Sequence, residues 1–310
     1  MIFYLGKRIL QSALILFLVA ALTFTLMNMV PGSPFLSDKS QSPEVIAALK
    51  AKYGLDKPPI VQFKNFIVNA LKFDFGVSLK MQKNRPVIEI ISEMFPTSAK
   101  IGLLALIFAI SVGIPIGCLA AYNRGNKLDS LLRIVMTIGI SMPGFVLATI
   151  LLIIFGVKLK ILPTLGLTTA SSYIMPVVAL GFYPMCYIGR LSRSSMLDVI
   201  NQDYIRTAKA KGVGTTKIIF KHALRNAFIP VLTYLGPLTA GILTGSLVVE
   251  TIFGIPGLGR YFIQSISNRD YPIIMATTLF FSFLVIFMNF VVDILYKVVD
   301  PRIDIMKGAD

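Results

Sequence analysis

Residues 101–123 read IGLLALIFAISVGIPIGCLAAYN, without a single Asp, Glu, Lys or Arg. A helix needs about 20 such residues to cross the hydrocarbon core of a bilayer, so this stretch reads as a membrane span. Uncharged runs of comparable length also cover Ile9–Ser37, Ile134–Val157, Ile161–Gly189, Asn226–Val249 and Tyr271–Val292. Together they predict an all-α membrane protein with six transmembrane helices near 9–30, 98–121, 132–156, 173–191, 229–251 and 272–297. Composition agrees: 55% of the 310 residues are hydrophobic and 15% charged, against roughly a quarter charged in a soluble domain. A water-soluble fold has no interior large enough to hide that much apolar surface.

The formal charge of +15 raises nucleic acid as a partner, but the basic residues form no aromatic-interleaved patch and no RNA or DNA motif, so none is expected. Their placement follows membrane topology instead. With the N-terminus inside, the cytoplasmic segments hold Lys7 and Arg8; Arg124, Lys127 and Arg133; eight residues from Arg190 to Arg225; and Lys297, Arg302 and Lys307. The short outer loops hold only Lys158, Lys160, Arg260 and Arg269. Positive-inside bias therefore puts both termini in the cytoplasm. The outer segment from about Pro31 to Lys100 is also basic, but long loops translocate largely regardless of charge. The apolar run after Lys7 and Arg8 exceeds a signal-peptide core of about 7–15 residues and no small-residue cleavage site follows it, so it reads as an uncleaved span. Cys118 and Cys186 both lie in apolar runs, which argues against a disulfide framework.

Between spans one and two, Ser42-Pro43-Glu44 supplies an N-cap, a proline at the first helical position and an early acid, and Gly54 closes the helix. Pro59 opens an amphipathic stretch carrying Ile60, Phe63, Phe66, Ile67, Ala70 and Leu71 at helical spacing. The pair reads either as interfacial helices or as part of a docking surface for an outside protein. Between spans four and five, Asn201 or Asp203 caps a helix through Lys211, Gly212 ends it, and Gly214-Thr215 starts a second through Ile218, Ile219, Phe220 and Leu224. A basic run at a membrane surface is ordinary; small residues around a glycine turn also make a compact knob that another protein can grip. On that reading, bulk at Ala208 or Gly212 disturbs docking more than loss of charge at Lys209 or Lys211, and Gly212 needs a positive φ.

Other features stay open or point away from chemistry. Gly236, Pro237, Gly241, Thr244, Gly245 and Ser246 concentrate small and polar residues in span five, and Gly241 with Gly245 forms a G-x-x-x-G; helix packing and lining a pathway are both open. Pro115, Pro143, Pro176, Pro184 and Pro237 fall inside spans, as packing kinks or as parts of a moving gate. Glu250 and Asp293 stand at span ends; acids within a membrane are functional candidates, but at a helix end they can reach water, and a structural role is equally open. No phosphate-cradling G-x-x-x-x-G-K-S/T occurs. Asp74-Phe75-Gly76 spells the kinase triplet with no catalytic loop beside it. His222, the single histidine, has no Cys, Asp or Glu cluster at ligand spacing, so neither a metal site nor a catalytic residue is expected.

The stretch Tyr204 to Pro230 resembles the cytoplasmic loop of ABC importer permeases, whose pattern is E-A-A, three residues, G, nine residues, I-x-L-P. With the glycine on Gly212, E-A-A falls on Arg206-Thr207-Ala208 and I-x-L-P on His222-Ala223-Leu224-Arg225, so the acid and the proline are missing. Thr207-Ala208-Lys209-Ala210-Lys211-Gly212 and His222-Ala223-Leu224-Arg225-Asn226-Ala227-Phe228-Ile229-Pro230 are similar to the variant of the peptide-permease branch. Further segments resemble the B-type subunit of oligopeptide and dipeptide permeases: Val30 to Phe35, Asp74-Phe75-Gly76, Glu250 to Gly259, Asn268 to Tyr271, and Val299-Asp300-Pro301-Arg302.

The resemblance implies a type I ABC importer permease fold in the inner membrane of a prokaryote, with a partly helical extracytoplasmic segment. On it the chain divides into residues 1–30, an outer segment 31–97, a five-span core 98–297 with a coupling loop at 192–228, and a tail 298–310. It implies a heterodimer with a C-type permease, two cytoplasmic ATPase subunits and an outer substrate-binding protein, in contact with lipid and passing a peptide substrate. The coupling loop would comprise Arg206, Thr207, Ala208, Lys209, Ala210, Lys211, Gly212, His222 and Leu224. This chain would bind no cofactor; ATP and Mg belong to the ATPase subunits. Similar permeases carry oligopeptides, dipeptides, nickel or metal chelates. A secondary transporter usually needs ionisable groups at the bilayer midplane, which the six runs lack, and an intramembrane enzyme needs acid, base or metal clusters, which are missing.

Overall fold

The computed structural model describes residues 2–29, 43–214, 218 and 224–299. Its α-helices are α1 (Ile2–Met29), α2 (Pro43–Lys52), α3 (Pro59–Ala70), α4 (Val87–Tyr122), α5 (Lys127–Ser141), α6 (Gly144–Leu151), α7 (Ile174–Ile200), α8 (Asp203–Ala210), α9 (Leu224–Ala227), α10 (Ile229–Leu243), α11 (Leu247–Ile252), α12 (Leu258–Asn268) and α13 (Tyr271–Val299), with a π-helical turn at Leu152–Lys158 continuing α6 and a 3-10 turn at Ala170–Tyr173 leading into α7. Among the described residues, β-pairing is confined to an isolated bridge between Val77 and Pro86.

Among the described residues, five helical segments are long and apolar enough to cross a membrane: Arg8–Met29, Val87–Tyr122, Ala170–Ile200, Ile229–Ile252 and Tyr271–Val291. The span expected near 132–156 is not straight. Lys127–Ser141 and Gly144–Lys158 meet at 104°, and they make a sixth span when the bent pair is counted as one. The break has a local cause. Pro143 disfavours the helical conformation at the residue before it, and Met142 is extended at φ −82°, ψ 122°. Proline does not break every span, since α7 runs through Pro184 and α10 through Pro237.

The chain divides into two compact units, Met1–Pro96 with Gly257–Leu284, and Thr97–Pro256 with Val285–Asp310. In the first, α2 starts at Pro43 with Glu44 in its first turn, and Gly54 follows its end at φ +68°. The cap assigned to Ser42 lies outside the described residues, as do Pro31 to Phe35. Phe63 of α3 packs on Phe17 and Phe24 of α1, with ring centroids 5.7 and 5.3 Å apart. A core of Val87, Ile90, Ile91, Met94, Leu258, Ile273 and Ala276 takes in Phe75 at its edge. That contact explains the kinase-like triplet: Asp74 accepts a hydrogen bond from the Gly76 N–H at 2.9 Å, a turn that aims Phe75 at the core. Asp270 is fully buried and accepts from the Ser78 hydroxyl at 2.6 Å and the backbone N–H groups of Leu79, Lys80 and Met81 at 3.0 Å each. Four donors on one carboxylate fix the 78–81 turn to the start of α13.

In the second unit, α4 and α7 meet backbone to backbone. A Cβ on Gly117 would stand 2.3 Å from the Gly189 carbonyl oxygen, and one on Gly113 2.6 Å from that of Met185. Small residues on both helices permit this approach. Asp129, only 1% exposed, accepts both arms of the Arg193 guanidinium at 2.7 and 2.9 Å and the Gly125 N–H at 3.0 Å. This bidentate pair ties the turn between α4 and α5 to the end of α7.

Candidate functional site

Where it is described, the stretch assigned to coupling forms the helix and glycine turn expected of it, while the Asn201 amide offered as a cap instead donates to the Leu197 carbonyl at 2.9 Å. Asp203 stands in the first turn of α8, which complements the helix dipole. At the other end Gly212 adopts φ +72° and the Val213 N–H bonds the Ala208 carbonyl at 3.1 Å. A left-handed glycine with that bond is the Schellman termination, and its usual apolar contact is present because Val213 and Ala208 pack on the same cluster. The second helix expected from Gly214 falls mostly outside the described residues, and so does His222. Of it, Ile218 is buried and Leu224 opens α9.

Ile205, at 0% exposure, is the residue that seats α8. It packs with Cys118 and Ala121 at the end of α4, Met196 of α7, Ile218 and Ala227, and Leu224 and Ala208 border the same cluster. The Asn226 amide donates to the Tyr204 hydroxyl at 2.8 Å, a second tie between α8 and α9. Arg206, Thr207, Ala210, Lys211 and Gly212 are exposed; Lys209 lies in α8. The knob thus has an inner side, Ile205, Ala208 and Leu224, and an outer side. Ala208 belongs with the inner side, so bulk there disturbs the chain's own packing before it reaches any partner. Gly212 has nothing within 4 Å of a built Cβ, so a substituent there projects into open space while straining the backbone.

The small-residue region of span five separates into distinct roles. Helix α10 ends at Leu243 and α11 begins at Leu247, so Thr244, Gly245 and Ser246 form a break. Gly245 has φ +88°, and a Cβ there would stand 2.5 Å from Glu250 Oε1 and 3.0 Å from Ser98 Oγ. The Ser246 hydroxyl accepts from the Val249 N–H at 3.3 Å and so caps α11. Thr244 donates to the Gly241 carbonyl at 2.8 Å. Gly241 is exposed, with nothing within 4 Å of a built Cβ. Glu250 is 2% exposed and accepts from the Ser98 hydroxyl at 2.7 Å, which agrees with the structural one of its two readings and not with access to water. It holds the break in place.

Two arrangements escaped sequence reading. Gly113 and Gly117 form a G-x-x-x-G inside the uncharged run 101–123, whose hydropathy marks a span but not its packing face. Asp129 is an acid standing alone among Arg124, Lys127 and Arg133, a pattern that signals an ion pair without naming its partner. Among the described residues, no three His, Cys, Asp or Glu side chains gather as a metal site would require.

Five or six apolar spans and a packed helix–turn knob between two of them define a multi-pass membrane protein. Sequence patterns name its kind: residues 113–305 match the binding-protein-dependent transport system inner membrane component, and residues 1–102 match the N-terminal part of such membrane components. The chain belongs to this family of binding-protein-dependent transport system inner membrane components. It is 45% identical, over 98% of either chain, to the dipeptide transport system permease protein DppB of Bacillus subtilis. It is 42% identical to the oligopeptide transport system permease protein OppB of Haemophilus influenzae, over 98% of this chain and 99% of that one. Its fold, a type I ABC importer permease fold, is similar to that of the inward-facing MetNI methionine ABC transporter, with a TM-score of 0.59 at 19% identity over 69% of this chain and 97% of that one.

Proposed function

We propose that this chain is one of two membrane-spanning subunits of an ATP-driven importer of short peptides. Both termini and the 192–228 loop then face the cytoplasm, and the 31–97 segment faces outside. Partners are a C-type permease, two ATPase subunits that bind ATP and Mg, and an outer binding protein that delivers the peptide. The chain itself binds no nucleotide and performs no catalysis.

The observation that carries the coupling role is the two-sided knob. A short helix anchored through Ile205 and ended at Gly212 moves with the span ends beneath it, because packed interiors transmit displacement. Its exposed side, Arg206, Thr207, Ala210, Lys211 and Gly212, is what an ATPase groove would hold. The peptide class is supported by near full-length similarity to permeases named for dipeptides and oligopeptides. The test is reconstitution of the two permeases and two ATPase subunits in proteoliposomes, with the binding protein added outside and labelled di- and tripeptides as substrate. ATP-dependent peptide accumulation is expected, together with no ATP turnover by the isolated chain. Accumulation of nickel but of no peptide would replace the substrate, and ATP turnover by the chain alone would overturn the whole reading.

A further inference from the structure

Three tyrosines from two spans gather in the second unit. Tyr183 and Tyr187 stand one turn apart on α7 with ring centroids 6.3 Å apart, and Tyr234 of α10 lies against Tyr187 at 4.3 Å. The Arg190 guanidinium sits 5.3 Å from the centre of the Tyr187 ring. Tyr183 and Arg190 are exposed, and the other two rings are half-buried.

Tyrosine is common in membrane proteins at the headgroup level, where its hydroxyl meets water. That does not account for Tyr183. Nine residues separate it from Ile174 at the start of α7, about 14 Å along a helix axis, or roughly half of a 30 Å hydrocarbon core. Among the described residues none of the three phenol hydroxyls has a hydrogen-bond partner. A hydroxyl at that depth with no protein partner costs free energy in lipid, so it calls for water or a polar ligand. The neighbouring surface agrees: α10 exposes Thr233, Pro237 and Gly241, whereas lipid-suited α1 exposes Leu14, Leu18 and Leu22.

We propose that Tyr183, Tyr187 and Tyr234, with Arg190 at their inner end, form a contact lane for the peptide during its passage, a role that rests on the peptide-importer function proposed above. The chemistry suits a peptide of any sequence. Phenol hydroxyls both donate to and accept from backbone amides, ring faces cover apolar side chains, and the single cation complements the C-terminal carboxylate. No acid stands in the uncharged runs Ile161–Gly189 and Asn226–Val249 to compete for Arg190.

The test replaces Tyr183 or Tyr187, one at a time, with the photoreactive p-benzoylphenylalanine in the complete transporter while it imports a radiolabelled tripeptide, with Leu18 as a control. Label is expected on the chain at 183 and 187, dependent on ATP and the binding protein, and absent at 18. Adducts to the second permease without peptide label would make this a subunit-packing face, and adducts to lipid alone would make it a lipid face; either overturns the proposal. Uptake by the unmodified transporter is measured in parallel: uptake without adduct overturns the lane alone, and absent uptake overturns the peptide function and the lane together. Replacing all three tyrosines by Phe, which keeps the rings, is expected to lower uptake about tenfold, the scale of one net hydrogen bond, in a transporter of unchanged subunit composition. Unchanged uptake would overturn a role for the hydroxyls.

Discussion

Two G-x-x-x-G patterns in this chain do different work. Gly113 and Gly117 lie within one unbroken helix and press against the backbone of α7, where a Cβ would come within 2.6 and 2.3 Å of carbonyl oxygens. Gly241 and Gly245 share no helix, because α10 ends at Leu243 between them. One faces open space and the other makes a left-handed turn against Ser98 and Glu250. Spacing by four marks a common face only where the helix runs through both positions. The pattern open to either packing or a pathway is a break, and the one that packs lies inside a long apolar run.

This contrast is open to breakage by three substitutions. Gly117→Leu forces α4 from α7 and should cost about 3 kcal/mol or more, since bulk in a close-packed seam meets backbone that cannot move aside. Thermal unfolding and the yield of monodisperse protein would record it; wild-type stability would mean the seam is looser than its geometry. Gly245→Ala should cost about 2 kcal/mol, combining left-handed strain with crowding of Glu250. Gly241→Ala should shift stability by no more than about 1 kcal/mol, toward stabilisation, because the position is helical and unobstructed. Equal losses for Gly241→Ala and Gly117→Leu would erase the distinction.

The spans were legible because hydropathy is a property of whole runs, and the end of α8 was legible because a glycine after a short helical run readily takes the left-handed conformation that closes a helix. The 104° bend was not legible in the same way. Pro143, Pro184 and Pro237 look alike in sequence, yet α7 and α10 run on through theirs; what differs at Pro143 is the extended backbone of Met142, a conformation that a following proline favours but does not compel. Ala208 illustrates the same limit. Its small size suggested an outer gripping surface, but on a helix of two turns the side that faces inward is set by where Ile205 packs, and Ala208, three residues on, follows it. The salt bridge between Asp129 and Arg193 joins residues 64 apart, which no local pattern reports.

The central claim is that the exposed side of α8 couples this chain to an ATPase while its inner side holds the fold. Co-purification of the ATPase subunits with the complete transporter, alongside peptide uptake, measures that directly in Ala210→Trp, Gly212→Val and Gly212→Asn. Trp at 210 adds bulk to the exposed side, Val at 212 resists the left-handed conformation, and Asn tolerates it. The first two should lose ATPase subunits and uptake while the permease inserts and accumulates normally, and Gly212→Asn should retain most of both. Full uptake with stoichiometric ATPase in both Ala210→Trp and Gly212→Val would contradict the account and leave this loop a basic connector.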